Sequence, residues 1–229
     1  DRSPSRGLGD VYKRQNLFRS REAAEAGLDV SGLGGVIEVD PVAKTADVQG
    51  MCTYEDLVDA TLPFGLAPLV IPQLKTITLG GAVSGMGVES TSFRNGLPHE
   101  SVLEMDVLVG TGEIITCSRE ENVELFRAFP NSYGSLGYVV RLKIELEDVA
   151  PFVELAHVRY NDLAQFQDAL AAAAANGTWE GREIHGLDAV AFSTDEQYLV
   201  LAFQADNAPG TSDYTCLLYT SPSPRDGLL

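Results

Sequence analysis

The sequence predicts an α+β fold, and three observations carry that expectation. Stretches such as Leu103-Glu104-Met105-Asp106-Val107 alternate apolar and polar residues, the period of a half-buried strand. Stretches such as Leu163, Phe166 and Leu170 place apolar residues three and four apart, the period of a helix. The two kinds follow one another without regular βαβ alternation, which disfavours a doubly wound parallel sheet. The 229 residues are 45% apolar, enough to bury a core. No apolar run approaches the roughly 18–20 residues that span a bilayer.

Taken in order, Gly35 to Val39 and Thr45 to Gln49 read as two strands around an Asp40-Pro41 turn. Thr53, with Asp56 three residues on, predicts a capped helix that turns Leu57, Val58 and Leu62 inward and ends at Pro63 and Gly65. Leu66 to Pro72, with Pro68 and Pro72, reads as an extended connector. The glycine-rich segment Thr76 to Pro98 follows. Leu103, Met105, Val107 and Val109 then mark a strand, Gly110-Thr111-Gly112 a turn, and Glu113 to Cys117 the returning strand of a hairpin. Ser118 with Glu121 predicts a cap for a short helix that stops at Pro130. Tyr138 to Glu147 is a third strand, and Pro151 marks a boundary. Beyond it, Val153 to Tyr160 reads as a strand, Asn161 as the cap of a helix carrying Leu163, Phe166 and Leu170, and Asn176-Gly177 as its stop. A hairpin around Thr194-Asp195-Glu196 completes the series.

Charge narrows the function. Sixteen Lys and Arg against 33 Asp and Glu give −17, and no basic cluster offsets it. A nucleic-acid surface needs a cationic patch, so no nucleic-acid partner is expected, and a basic membrane-surface helix is disfavoured for the same reason. Cys52, Cys117 and Cys216 form neither a paired framework nor a zinc spacing, so no metal is expected and the chain reads as reduced, intracellular and soluble. Residues 1–15 and 216–229 lack any period and resemble translated sequencing adaptor, so both are expected to be non-native, disordered tails.

Thr78-Leu79-Gly80-Gly81-Ala82-Val83-Ser84-Gly85-Met86-Gly87-Val88-Glu89-Ser90 holds four glycines and two serines. Glycine reaches positive φ and lets a ligand or another backbone come close. Read as an open loop, the run offers successive N–H groups as a nest for phosphate oxygens. The same composition suits a tight turn at a sheet corner, and composition alone does not separate the two. GxxxxGK[ST] is missing, which excludes a P-loop hydrolase. Gly85-x-Gly87-x-x-Ser90 lacks the third glycine of a Rossmann fingerprint.

Pro72 to Gly81, then Gly85-x-Gly87-x-Glu89-Ser90, then Asn95-Gly96-Leu97, resemble flavoproteins of the vanillyl-alcohol-oxidase type, which carry an FAD-binding domain of the p-cresol methylhydroxylase (PCMH) type. Within that family the run T-[LV]-G-G-x-x-x-G-x-G-[IV]-E-S is most similar to the Δ24-sterol reductase-like branch. The hairpin from Glu104 to Glu113, Glu124-Leu125-Phe126 and Gly134-Ser135-Leu136-Gly137 continue the likeness, which covers about residues 33–170.

The resemblance implies a partial FAD-binding domain over 16–150, lying as two α+β subdomains about the cofactor, and the start of a substrate or cap domain over 151–215. It implies FAD contacts at Ile77, Thr78, Leu79, Gly80, Gly81, Ser84, Gly85, Gly87, Glu89, Ser90 and Gly137. The family's R-x-G-x-S loop precedes the segment present, and its cap domain continues past it, so the chain reads as a fragment, inactive by itself. The implied activity is reduction of a C=C bond in a hydrophobic, sterol- or isoprenoid-like substrate, with hydride passing through flavin N5 and NADPH as reductant. An FAD-dependent oxidase or dehydrogenase of an alcohol, sugar or hydroxy acid is the alternative, and a non-catalytic glycine-rich domain a third. The implied location is cytoplasmic, with any membrane association made through a region outside this chain.

Among single residues, Glu89 is expected either to hydrogen-bond the cofactor and orient Ser90 or to be a solvated loop carboxylate. His99 could be a proton donor or flavin neighbour, but like His157 and His185 it is expected to be a packed or surface residue; Tyr133 and Tyr138 could wall the flavin, but are expected to pack in the core. Cys117 has no His beside it in sequence, and Arg119 is offset by Glu120 and Glu121, so it is not expected to be a low-pKa nucleophile. No catalytic acid or base stands out.

Overall fold

The computed structural model describes residue 30 and residues 32–211; the tails expected at 1–15 and 216–229 lie outside the described residues. Antiparallel pairing builds the first half around β6 (Tyr138–Asp148), eleven residues long. The strand order is β1 (Val36–Asp40), β2 (Thr45–Gln49), β6, β4 (Val102–Leu108), β5 (Ile114–Ser118), with β3 (Leu66–Pro68) pairing the far end of β6. Alternation along β6 sends Leu142, Ile144 and Leu146 to one face. There they meet Val48, Met105, Val107 and two helices, α1 (Tyr54–Thr61) and α2 (Leu79–Gly85). On the other face Arg141 pairs with Asp47, Glu104 and Asp106 from the strands on either side.

The second half is a three-stranded sheet, β10 (Gly186–Ser193), β11 (Glu196–Ala205) and β7 (Phe152–Tyr160), all antiparallel, together with a two-stranded ribbon of β8 (Thr178–Trp179) and β9 (Arg182–Glu183). A long helix, α5 (Leu163–Asn176), covers one face, and Phe166, Ala173, Leu199, Leu201 and Phe203 form its core. Mixed helices and antiparallel sheets are the α+β architecture the sequence predicts.

Four local expectations need correction. Leu62 does not turn inward; it is 49% exposed, because α1 ends at Thr61 and Leu62 opens a short 3-10 turn. Tyr54 and Thr61 fill the inner face with Leu57 instead. Ser118 does not cap a helix. Its hydroxyl accepts from the Glu120 and Glu121 N–H groups at the end of β5, and α4 (Val123–Ala128) starts after Asn122. Asp162, not Asn161, caps α5, its carboxylate accepting from the Gln165 N–H at 2.9 Å. Leu103 sits at a register shift between Val102 and Glu104, so Val102 takes the fully buried position.

The glycine-rich segment departs most. Residues 79–85 are helical, and Leu79 to Ser84 are all buried. No glycine between Gly80 and Gly87 has positive φ; Met86, at φ 54, is the only residue of the segment Thr78–Ser90 that does.

Candidate functional site

The segment that links the two sheets runs from α2 through the four-residue helix α3 (Ser92–Asn95) to Leu97. Its first half is built into the core. The Thr78 hydroxyl accepts from the Gly81 N–H, the Leu79 N–H donates to Cys52 O, and the Gly80 N–H donates to Gly50 O. The early N–H groups of α2 are therefore spent on protein and are not open to a phosphate. Gly80 is a packing glycine. A Cβ there would lie 2.6 Å from Gly50 O and 2.7 Å from Val139 Cγ1, so only glycine lets the helix rest on that backbone. Gly137, at φ 141, is held likewise, because a Cβ would stand 2.5 Å from Leu108 O. Ser84 is buried with its hydroxyl on Gly81 O, and Ile77 packs at the margin of the core.

Past Gly85 the chain opens. Met86 adopts a left-handed conformation, and the N–H groups of Gly87 and Val88 have no backbone or side-chain acceptor among the described residues. A Cβ at Gly87 would meet nothing nearer than Glu89 Oε1 at 3.7 Å. Tyr133, expected in the core, is instead 59% exposed; its N–H donates to Ser84 O and its hydroxyl to Gly85 O, fixing the end of α2.

Glu89 and Ser90 then meet the second sheet. Glu89 Oε2 accepts from the Gln73 N–H at 3.2 Å, and the Glu89 N–H donates to Ser92 Oγ at 3.0 Å. Ser90 O accepts from the Leu187 N–H at 2.8 Å, which seats β10 against the segment. Asp188, next along β10, faces the same junction. Burial raises the Glu89 carboxyl above the usual carboxylate range, opposed by the Gln73 N–H and reinforced by Asp188. Burial raises Asp188 as well. The fully buried Tyr54 phenol is pushed up by burial and by the Glu89 charge. Glu89 is partly buried and held by the Gln73 N–H, and Asp188 is a residue the sequence reading missed. Only its place beside Ser90, set by strand pairing far along the chain, marks it.

The junction is locked by Arg94. Its guanidinium forks onto Glu147 at 2.7 and 2.8 Å, and its Nε donates to His185 O at 3.1 Å. Asn95 bonds Leu69 O and Glu147, and Phe93 packs against the second core. His157 lies on β7, His185 in the bend just ahead of β10, and His99 lines a cavity beside α2 and α4. Burial pushes the Cys52 thiol up to about 12 and the Cys117 thiol up to about 11, so neither is a thiolate nucleophile near neutral pH.

The donor set divides the expected FAD contacts. Thr78 to Ser84 fold into the core, whereas Gly87 and Val88 present open N–H groups beside a carboxyl of raised pKa and the edge of a second sheet. Residues 14–118 match the family described as "FAD binding domain". The chain is 33% identical over 161 residues to cytokinin dehydrogenase 7 of rice (Oryza sativa subsp. japonica), covering 70% of this chain and 31% of the rice protein. It is 36% identical over 169 residues to rice cytokinin dehydrogenase 6, with the same coverage, and 34% identical over 130 residues to cytokinin dehydrogenase 5 of Arabidopsis thaliana, covering 57% of this chain and 24% of that protein. The chain therefore spans about a third or less of the length of these curated relatives. Residues 14–118 thus match an FAD-binding domain, the α+β architecture is consistent with the PCMH type, and FAD is the cofactor that the match and the relatives support.

Proposed function

We propose that this chain is part of an FAD-dependent oxidoreductase in which Gly85 to Ser90 lie along the cofactor and Glu89 handles a proton at the substrate. FAD, when bound, supplies a redox centre that exchanges a hydride with substrate or reductant. The residues of the chain supply position and proton control. The N–H groups of Gly87 and Val88 are donors suited to a phosphate oxygen. The observation that carries the reading is the seating of Glu89 at the junction of the two sheets. A carboxyl raised by burial holds its proton closer to neutrality than a surface carboxyl does, which suits a general acid or base.

For the reaction, we favour reduction of a C=C bond in a hydrophobic substrate, with NADPH as reductant. Such a reduction adds a hydride to one carbon and a proton to the other, and Glu89 Oε1 or Oε2 is the proton's source. Glu89 belongs to the G-x-G-[IV]-E-S run that resembles the Δ24-sterol reductase-like branch. The names of the curated relatives favour a second reading, a dehydrogenase, in which Glu89 accepts the proton instead. The test is anaerobic flavin reduction in the complete, FAD-loaded protein. Bleaching by NADPH, followed by recolouring with a sterol or isoprenoid olefin, supports the reductase. Bleaching by a cytokinin and not by NADPH supports the dehydrogenase and overturns the first reading.

A further inference from the structure

A cavity of about 450 Å³ lies where α2, the 3-10 turn Pro98–Ser101 and α4 meet. None of the eleven residues expected at FAD lines it. Its walls are apolar, with Val83, Met86 and Phe126 among them, and its polar groups are His99, Glu100, Arg119 and Arg127.

The two arginines are out of the ordinary in an acidic chain of net charge −17. Arg94, Arg141, Arg159 and Arg182 each form an ion pair, whereas Arg119 and Arg127 form none among the described residues. Arg119 donates only to the backbone carbonyl of Glu100, and the Glu100 carboxylate is taken by the Leu97 N–H at 2.7 Å. His99 Nδ1 is shielded from water and has no hydrogen-bond partner among the described residues. Burial lowers the His99 pKa, with the Glu100 charge opposing, so the ring tends to its neutral form and Nδ1 can donate or accept. Buried polar atoms are ordinarily satisfied, and an orphan at a cavity wall marks a place where a ligand atom fits. A concave, mostly apolar space with a few convergent polar groups is the usual form of a small-molecule site, and its volume lies in the usual range of about 300–1,000 Å³.

We propose that this cavity binds a small amphipathic anion, its carboxylate or phosphate head at Arg119 and Arg127 beside His99 and its apolar body against Val83, Met86 and Phe126. Guanidinium is suited to either head because its planar N–H groups match paired oxygens. The cavity shares only Met86 with the segment proposed to lie along FAD, and its anion site at Arg119 and Arg127 does not depend on that reading.

Isothermal titration calorimetry of the 229-residue chain with octanoate, octyl phosphate and octanol tests the proposal. Saturable one-to-one binding of an anion, with octanol at least about tenfold weaker, is expected, since each charge-assisted hydrogen bond is worth about a factor of ten. The stronger of the two anions identifies the head group. Arg127→Gln and Arg119→Gln should each weaken that anion about tenfold or more while the melting temperature stays unchanged, because both side chains are exposed. Should one variant not fold, the other still decides. Lack of saturable binding, equal binding of octanol, or unchanged affinity in the folded variants overturns the proposal. So does displacement of octanoate by FAD, which would make the cavity part of the cofactor site.

Discussion

Glycine 80 and glycine 87 stand seven residues apart in one glycine-rich run, yet they answer to different forces. At Gly80 an added methyl would press on the Gly50 carbonyl, which is backbone and cannot swing aside. Gly80→Ala is expected to cost about 1–3 kcal/mol, read as a lower melting temperature, as overpacking does elsewhere. At Gly87 the methyl meets only ordinary contacts, Glu89 Oε1 at 3.7 Å and Pro98 Cγ at 4.0 Å, so Gly87→Ala should leave the melting temperature nearly unchanged, and any loss of FAD retention there reports a contact with cofactor. Glu89 offers a pH test. A carboxyl raised in the folded state binds its proton more tightly there than in the unfolded chain, so its contribution is present below the ordinary carboxylate pKa and is lost as pH rises through the raised value. Glu89→Gln, which keeps an acceptor for the Gln73 N–H, should raise the melting temperature at pH 7 and change it little at pH 4. A lower melting temperature at pH 7 would show that the charge is stabilised by something other than these neighbours. The motif run marks Glu89 from sequence alone, but its environment is made by Gln73, Tyr54 and Asp188, and only chain folding brings those together.

Elements were legible wherever a local signal fixes them. The Asp40 turn follows from a carboxylate accepting from the Val42 and Ala43 N–H groups at 2.9 Å, and these bonds hold the carboxyl below its usual range. Gly65 and Gly177 end their helical turns in left-handed conformations, as stop signals should. The reading failed where two residues of similar chemistry compete. Asn161 and Asp162 are both good caps, and the extent of β7 decides between them, since that strand runs through Tyr160. Asp162→Ala should therefore cost about 1 kcal/mol in thermal unfolding, the usual worth of a cap, while Asn161→Ala should stay within about 0.5 kcal/mol. The reverse order would return the cap to Asn161. The helix over 79–85 was hidden for a different reason. Its three glycines are poor helix formers, and it forms because Thr78 caps it and because glycine lets it lie flat on Gly50 and Val139, a tertiary gain that no local propensity contains.

At the scale of the molecule the two sheets have separate cores, and what joins them is narrow: the Ser90 to Leu187 backbone bond, Phe93 inserted into the second core, the Ala150 N–H on Gln204, and Arg94. Arg94 makes three hydrogen bonds to two partners across this junction, since it grips Glu147 at the end of β6 with both terminal nitrogens while its Nε donates to His185 O ahead of β10. The pair is half-buried, so its loss should fall below the 3–5 kcal/mol of a fully buried ion pair, at about 1–3 kcal/mol. Arg94→Ala leaves the Glu147 carboxylate with only Asn95 and leaves His185 O without its donor. Scanning calorimetry is the measurement. The parent chain should unfold in one transition, because Phe93 and Arg94 make each core depend on the other, and Arg94→Ala should separate it into two, the β7–β10–β11 sheet melting first for want of its neighbour. Arg94→Lys keeps the charge but not the fork, and should fall between them. If Arg94→Ala instead shifts a single transition downward, Phe93 and the backbone bond couple the sheets without the guanidinium. In that case the seating of Asp188 beside Glu89 is set by β10 itself and not by the arginine clamp.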